Sequence, residues 1–126
     1  MSISGQDLPP WLKEQLARFN QLQQNLQAIQ IQKQQLEIEI SEIDKALEEL
    51  KKLGENDTVY KITGPILVKI NKDTVLKELE EKKELANTRS IVLTKQENRI
   101  KESLKETQGK LDEMLRGMSG GTPRAE

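Results

Sequence analysis

The sequence predicts a mainly α fold, a long antiparallel two-helix coiled coil whose helices are joined by a single β-hairpin. Three observations carry this expectation. Apolar residues recur with a 3-4 spacing over two long stretches, the spacing changes to alternation in a short central segment, and bulky side chains are too few for a globular core. Of 126 residues, 34% are hydrophobic and 2% aromatic (Trp11, Phe19 and Tyr60), while 33% are charged. Compact cores rest on large apolar and aromatic side chains. The choice therefore lies between disorder and long helices packed along narrow seams, and the periodicity selects helices.

The first helix is expected over about residues 11–53. Asp7-Leu8-Pro9-Pro10 announces it, because proline is tolerated in a first helical turn and poorly later. With Leu12 as position a, the a and d positions read Leu12, Gln15, Phe19, Leu22, Leu26, Ile29, Lys33, Leu36, Ile40, Ile43, Leu47 and Leu50; all but Gln15 and Lys33 are apolar. Gly54, after Lys51 and Lys52, reads as the C-cap. A second helix is expected over about 73–116, opened by Asn71-Lys72-Asp73-Thr74 with its capping side chain and first-turn acid. Its seam is Leu76, Leu79, Lys83, Ala86, Ser90, Leu93, Glu97, Ile100, Leu104, Thr107, Leu111 and Met114. Gly117 and Gly120-Gly121-Thr122-Pro123 end it, leaving 117–126 as a flexible tail.

The hairpin falls at about 57–70. Thr58-Val59-Tyr60-Lys61-Ile62-Thr63 and Ile66-Leu67-Val68-Lys69-Ile70 are rich in β-branched residues, and Gly64-Pro65 separates them. Each flanking helix, at 1.5 Å per residue, is expected to be roughly 65 Å long. A reversal between equal helices brings position 12 near 114 and position 50 near 76. No internal repeat or linker marks a second domain, so 1–126 is expected to be one.

Composition also excludes chemistry. The chain has no cysteine and no histidine, which removes disulfides, thiol nucleophiles, the commonest zinc ligands and the usual general base. No phosphate-binding glycine loop is present, and no enzyme activity or cofactor is expected. The acids Glu37, Glu39, Glu42, Asp44, Glu48 and Glu49 read as a solvated helix face rather than a metal cluster. A net charge of −1, with 20 basic and 21 acidic residues, lacks the basic stripe of a nucleic-acid binder. The opening residues do not read as a signal peptide, and no apolar run reaches the ~18 residues of a membrane span; a soluble, cytoplasmic protein is expected.

Two places point to binding. The hairpin carries apolar residues on both faces and has two free edges, and an isolated two-stranded ribbon is marginal in water. Hairpins of several subunits joining into a closed intersubunit β-barrel would complete it; folding down onto its own helices is the plainer alternative. At the far end of the coil, Trp11, Leu12, Leu16, Phe19 and Leu22 meet Leu104, Leu111, Met114, Leu115 and Met118. Trp11, Leu16 and Leu115 fall outside the a and d positions and are expected to be partly exposed, and exposed apolar surface marks binding sites. Methionine adds deformability. The plainer alternative is a coil end sealed against itself.

The order helix, single hairpin, helix resembles the β-type prefoldin subunits of archaea over nearly the whole chain. The specific part is Asp57-Thr58-Val59-Tyr60-Lys61-Ile62-Thr63-Gly64-Pro65-Ile66-Leu67-Val68-Lys69, which is similar to the family's hairpin signature of V-Y-K, an apolar residue, G-P and an apolar strand ending in Lys. The resemblance implies a hetero-hexamer of two α-type and four β-type subunits, whose double β-barrel here would use Val59, Tyr60, Ile62, Ile66, Leu67, Val68 and Ile70. It also implies ATP-independent capture of non-native client polypeptides at the coil tips, by Trp11, Leu12, Leu16, Phe19, Leu22, Leu111, Met114, Leu115 and Met118. Delivery to a group II chaperonin would follow. The rival reading is a structural or adaptor coiled coil that docks one folded partner.

Overall fold

The computed structural model describes residues 8–118. Its elements are α1 (Pro10–Lys51), β1 (Val59–Thr63), β2 (Ile66–Ile70) and α2 (Lys72–Met118). Packing divides the chain into two units: a hairpin unit, Gln32–Leu93, and a terminal unit made of the chain up to Ile31 and from Thr94 onward.

In both units the seam positions read from the sequence are withdrawn from solvent. In the hairpin unit Leu36, Ile43, Leu47, Leu50 and Ala86 are buried, and Lys33, Ile40, Leu76, Leu79, Lys83, Ser90 and Leu93 are half-buried. In the terminal unit Leu12, Glu97, Thr107 and Leu111 are buried, and the remaining seam residues are half-buried. One polar bond in each unit shows the antiparallel pairing. Lys83 Nζ lies 2.6 Å from Asp44 Oδ1 in the hairpin unit, and Gln30 Nε2 donates to Glu97 Oε2 at 3.3 Å in the terminal unit. Lys83 thus meets a partner on the facing helix while its end stays partly in solvent.

The helix ends follow local hydrogen-bond chemistry. The Pro9 carbonyl accepts from the N–H groups of Leu12 and Lys13, both at 3.0 Å, so α1 begins at Pro10. At its other end α1 stops at Lys51, and the Lys52 and Leu53 N–H groups make tighter three-residue bonds to Glu49 and Leu50. Gly54 is not the left-handed cap that the sequence suggested, since among the described residues only Gly64 has a positive φ. Its N–H donates instead to Asp57 Oδ2 at 2.7 Å, and the Asp57 N–H returns a bond to the Gly54 carbonyl. Asn71 caps α2: its Oδ1 accepts from the N–H groups of Asp73 at 2.8 Å and Thr74 at 3.4 Å. Lys72 Nζ donates to the Leu53 carbonyl at 2.7 Å and ties the two helix ends together. The second helix passes Gly117 and runs to Met118, because glycine without a left-handed backbone does not end a helix. The rest of the expected tail, 119–126, lies outside the described residues.

The strands pair antiparallel in the register Val59 with Ile70, Tyr60 with Lys69, Lys61 with Val68, Ile62 with Leu67 and Thr63 with Ile66. Gly64 has φ +58° and Pro65 is held to a negative φ, the combination of a two-residue II′ hairpin loop. Residue alternation gives the ribbon two faces. One carries Val59, Lys61, Thr63, Ile66, Val68 and Ile70; the other carries Tyr60, Ile62, Leu67 and Lys69. Only the base of the first face is covered. Val59 packs with Leu50 and Val75, and Leu53, Ile70, Leu76 and Leu79 surround them. Lys61 reaches Glu78 of α2 at 3.0 Å.

Two substitutions test this account. Gly64→Ala is expected to cost about 1–2 kcal/mol, because the backbone and not crowding demands glycine there. Gly54→Ala is expected to be neutral or slightly stabilising, since a Cβ would meet only Asp57 Oδ2 at 3.6 Å. A third, Asn71→Ala, should lower stability by about 1 kcal/mol through the lost cap. Urea unfolding followed by helical circular dichroism measures all three, and equal costs at the two glycines would contradict the turn assignment.

Candidate functional site

Two surfaces of the chain carry apolar side chains that the fold leaves uncovered. The first is the outer part of the hairpin. Ile62 is 74% exposed and Leu67 66%, and they are directly opposed across the ribbon with Tyr60 beside them. Cross-strand pairs of this type stabilise a sheet only when their face packs on something. Ile66 and Val68, on the opposite face, are exposed as well. Val59 and Ile70 differ from the other hairpin residues, being held in the cluster at the ribbon's base. Both strand edges are unpaired in the two-stranded sheet.

The second surface lies at the start of α1 and the end of α2, in the terminal unit. The Gln30–Glu97 bond sets the pairing there. Counting back from Gln30 to Trp11, and forward equally from Glu97, arrives at Arg116, so Trp11 and Leu115 stand at the same level. Trp11 is 46% exposed and Leu115 47%, whereas Leu12 is fully buried and Leu111 nearly so. Leu16, Phe19, Leu22 and Met114 are half-buried. The residues expected at the tip therefore divide by heptad position: Leu12 and Leu111 form its interior and Trp11 and Leu115 its surface. The side chain of Met118 lies outside the described residues.

One polar group inside this end is unsatisfied. Gln15 occupies a seam position, and its Oε1 is buried without a hydrogen-bond partner. Leaving a buried acceptor unpaired costs about 1–3 kcal/mol, so the seam is least secure where the exposed apolar residues gather. Sequence reasoning missed a further set. Ile31 in the terminal unit, and Ile38, Leu85, Ile91 and Val92 in the hairpin unit, are exposed outside the a and d positions. Their signal was available as apolar residues at outward heptad positions. At the base of the hairpin, Glu55, Asp57, Lys69, Lys72 and Asp73 line an open depression of mixed charge. Lys72 is already engaged by the Leu53 carbonyl.

Comparison with known proteins agrees with this arrangement. A family model described as Prefoldin subunit matches residues 13–118. A prefoldin subunit beta of Saccharolobus islandicus (strain L.S.2.15 / Lassen #1) is 44% identical over 111 residues, 88% of each chain. One from Archaeoglobus fulgidus is 43% identical over 114 residues, 90% of this chain and 98% of the relative. The crystal structure of the prefoldin beta subunit from Thermococcus strain KS-1 superposes with a TM-score of 0.76 at 37% identity, covering 86% of this chain and 95% of that one. The beta2 subunit from the same strain gives 0.65 at 27% identity, over 72% and 97%. Two long helices around one hairpin, matched along most of their length in sequence and in structure, place this chain in the prefoldin family, among its β-type subunits.

Proposed function

We propose that the chain is a subunit of an ATP-independent holding chaperone, which grips non-native polypeptides at its coil tip and passes them to a group II chaperonin. The observation that carries this reading is the pair Trp11 and Leu115, level with each other and exposed beside a sealed Leu12 and Leu111. Family membership supports the chaperone role, and the absence of histidine and cysteine leaves binding as the chemistry at hand. The uncovered hairpin supplies the means of assembly. Strand addition from neighbouring copies would pair its edges and bury Tyr60, Ile62 and Leu67, giving the intersubunit barrel of a hexamer of two α-type and four β-type subunits working in the cytoplasm.

Magnitudes explain why assembly and capture belong together. Covering what remains exposed of Trp11, Leu16 or Leu115 in a client contact contributes about 1 kcal/mol each, since each is already partly buried. Association costs about 4–15 kcal/mol in lost translational and rotational freedom. One tip therefore holds a client weakly and releases it readily. Several tips on one body bind through effective concentration and hold it firmly.

Two experiments test the proposal. A triple variant, Trp11→Ser, Leu16→Ser and Leu115→Ser, should keep the mass of the assembly and lose most of its suppression of client aggregation. Full suppression with intact mass would overturn capture at the tip. A second variant, Ile62→Lys with Leu67→Lys, should fall to a smaller species by light scattering while retaining its helical circular dichroism. Unchanged mass would overturn assembly through the hairpin. An adaptor for one folded partner would instead bind a native protein stoichiometrically and leave unfolded clients unprotected.

A further inference from the structure

The charge on the two helices of the terminal unit is unevenly shared. Arg18 and Lys33 bound the longest charge-free run of the chain, fourteen residues of which eight are Gln or Asn. This run falls in a protein of which 33% is charged. The facing stretch of α2 is ordinary in this respect, with Lys95, Glu97, Arg99, Lys101, Glu102 and Lys105 within residues 94–105. The difference is displayed on the surface. Asn20, Gln24, Gln27 and Ile31 of α1 are all exposed. Nothing in helix formation asks for this composition, since Glu and Lys are as helix-favouring as Gln and usually serve outward positions.

We infer that the outward face of α1 between Asn20 and Ile31 is a track on which an extended, non-native polypeptide lies, held through its backbone amides. This rests on the capture reading above and names what the site recognises. A carboxamide carries one acceptor and two donors, the same groups as a peptide unit. An unfolded chain differs from a folded one in leaving its backbone N–H and C=O groups free of internal partners. A row of carboxamides can bond those groups whatever the client's side chains are. The lack of charge matters equally, because a fixed charge beside the track would repel clients of like sign within about 10 Å at 0.1 M salt. Ile31, about half exposed on the same face, supplies an apolar contact at one end of the track.

The test adds charge without changing shape. In the full-length assembled protein, Gln24→Glu with Gln27→Glu places two charges on the track. Gln96→Glu with Asn98→Asp places two on exposed positions of α2 in the same unit. Binding is measured with two chemically unfolded probes of opposite charge, acidic α-lactalbumin and basic lysozyme. The unaltered protein should hold both with similar affinity. The α1 pair should weaken the acidic probe about fivefold relative to the basic one at low salt and lose that bias in 0.5 M salt, and the α2 pair should leave the ratio within twofold. Equal discrimination by the two pairs, or none by the α1 pair, overturns the track while leaving capture standing. An unaltered protein that holds neither probe overturns both.

Discussion

The arrangement depends on a small apolar knot where the chain reverses. Leu50 at the end of α1, Val59 at the start of β1 and Val75 in the first turns of α2 bury one another, with Leu53, Ile70, Leu76 and Leu79 around them. This is where both helices and both strands come together, and it sets the angle at which the ribbon leaves the coil. The bonds nearby complete it: Lys72 to the Leu53 carbonyl, Lys61 to Glu78, and the Asn71 cap. Its reach is short. Support from within the chain ends a rung or two above the base, and Ile62 and Leu67 near the loop receive none. A two-stranded ribbon anchored at one end and bare at the other is marginal by itself in water.

The coil is governed by a different balance. A seam one residue wide gains little free energy per turn, so its specificity has to come from the few polar positions it contains. The Lys83–Asp44 pair is well exposed, and such pairs contribute about 0–1 kcal/mol. The pair therefore marks the observed register of the two helices more than it stabilises them. Glu97 has a similar part in the terminal unit, where it is nearly buried and receives Gln30. Gln15 is the exception, a polar seam residue whose oxygen receives no bond.

Much of this was legible in the sequence, for reasons that the structure makes plain. A two-helix seam is one-dimensional, so counting by heptads from Leu12 and from Leu76 found its shielded positions, though not Val75, which packs against Val59 beside the seam. The hairpin was equally readable, because Gly64-Pro65 admits few turns and the alternation on either side fixes the faces. Helix ends were less legible. Gly54 and Gly117 looked like caps, but a glycine caps only when its φ is positive, and the path of the chain beyond it decides that. The depth of the tip residues, by contrast, was readable: the heptad count puts Leu12 on the seam and Trp11 and Leu115 off it, and the structure buries the first and leaves the other two about half exposed. The apolar residues Ile38, Leu85, Ile91 and Val92 stood in plain view off the seam and were passed over because a coiled-coil count attends only to a and d.

The position of Trp11 has one more consequence. It is the sole tryptophan of the chain, and it sits half in water at the end of the coil. Indole emission shifts toward the blue when water is replaced by apolar atoms, and no second indole is present to obscure the change. The protein thus carries its own optical gauge: whatever settles on that end of the molecule is recorded in its intrinsic fluorescence, without a dye or a label.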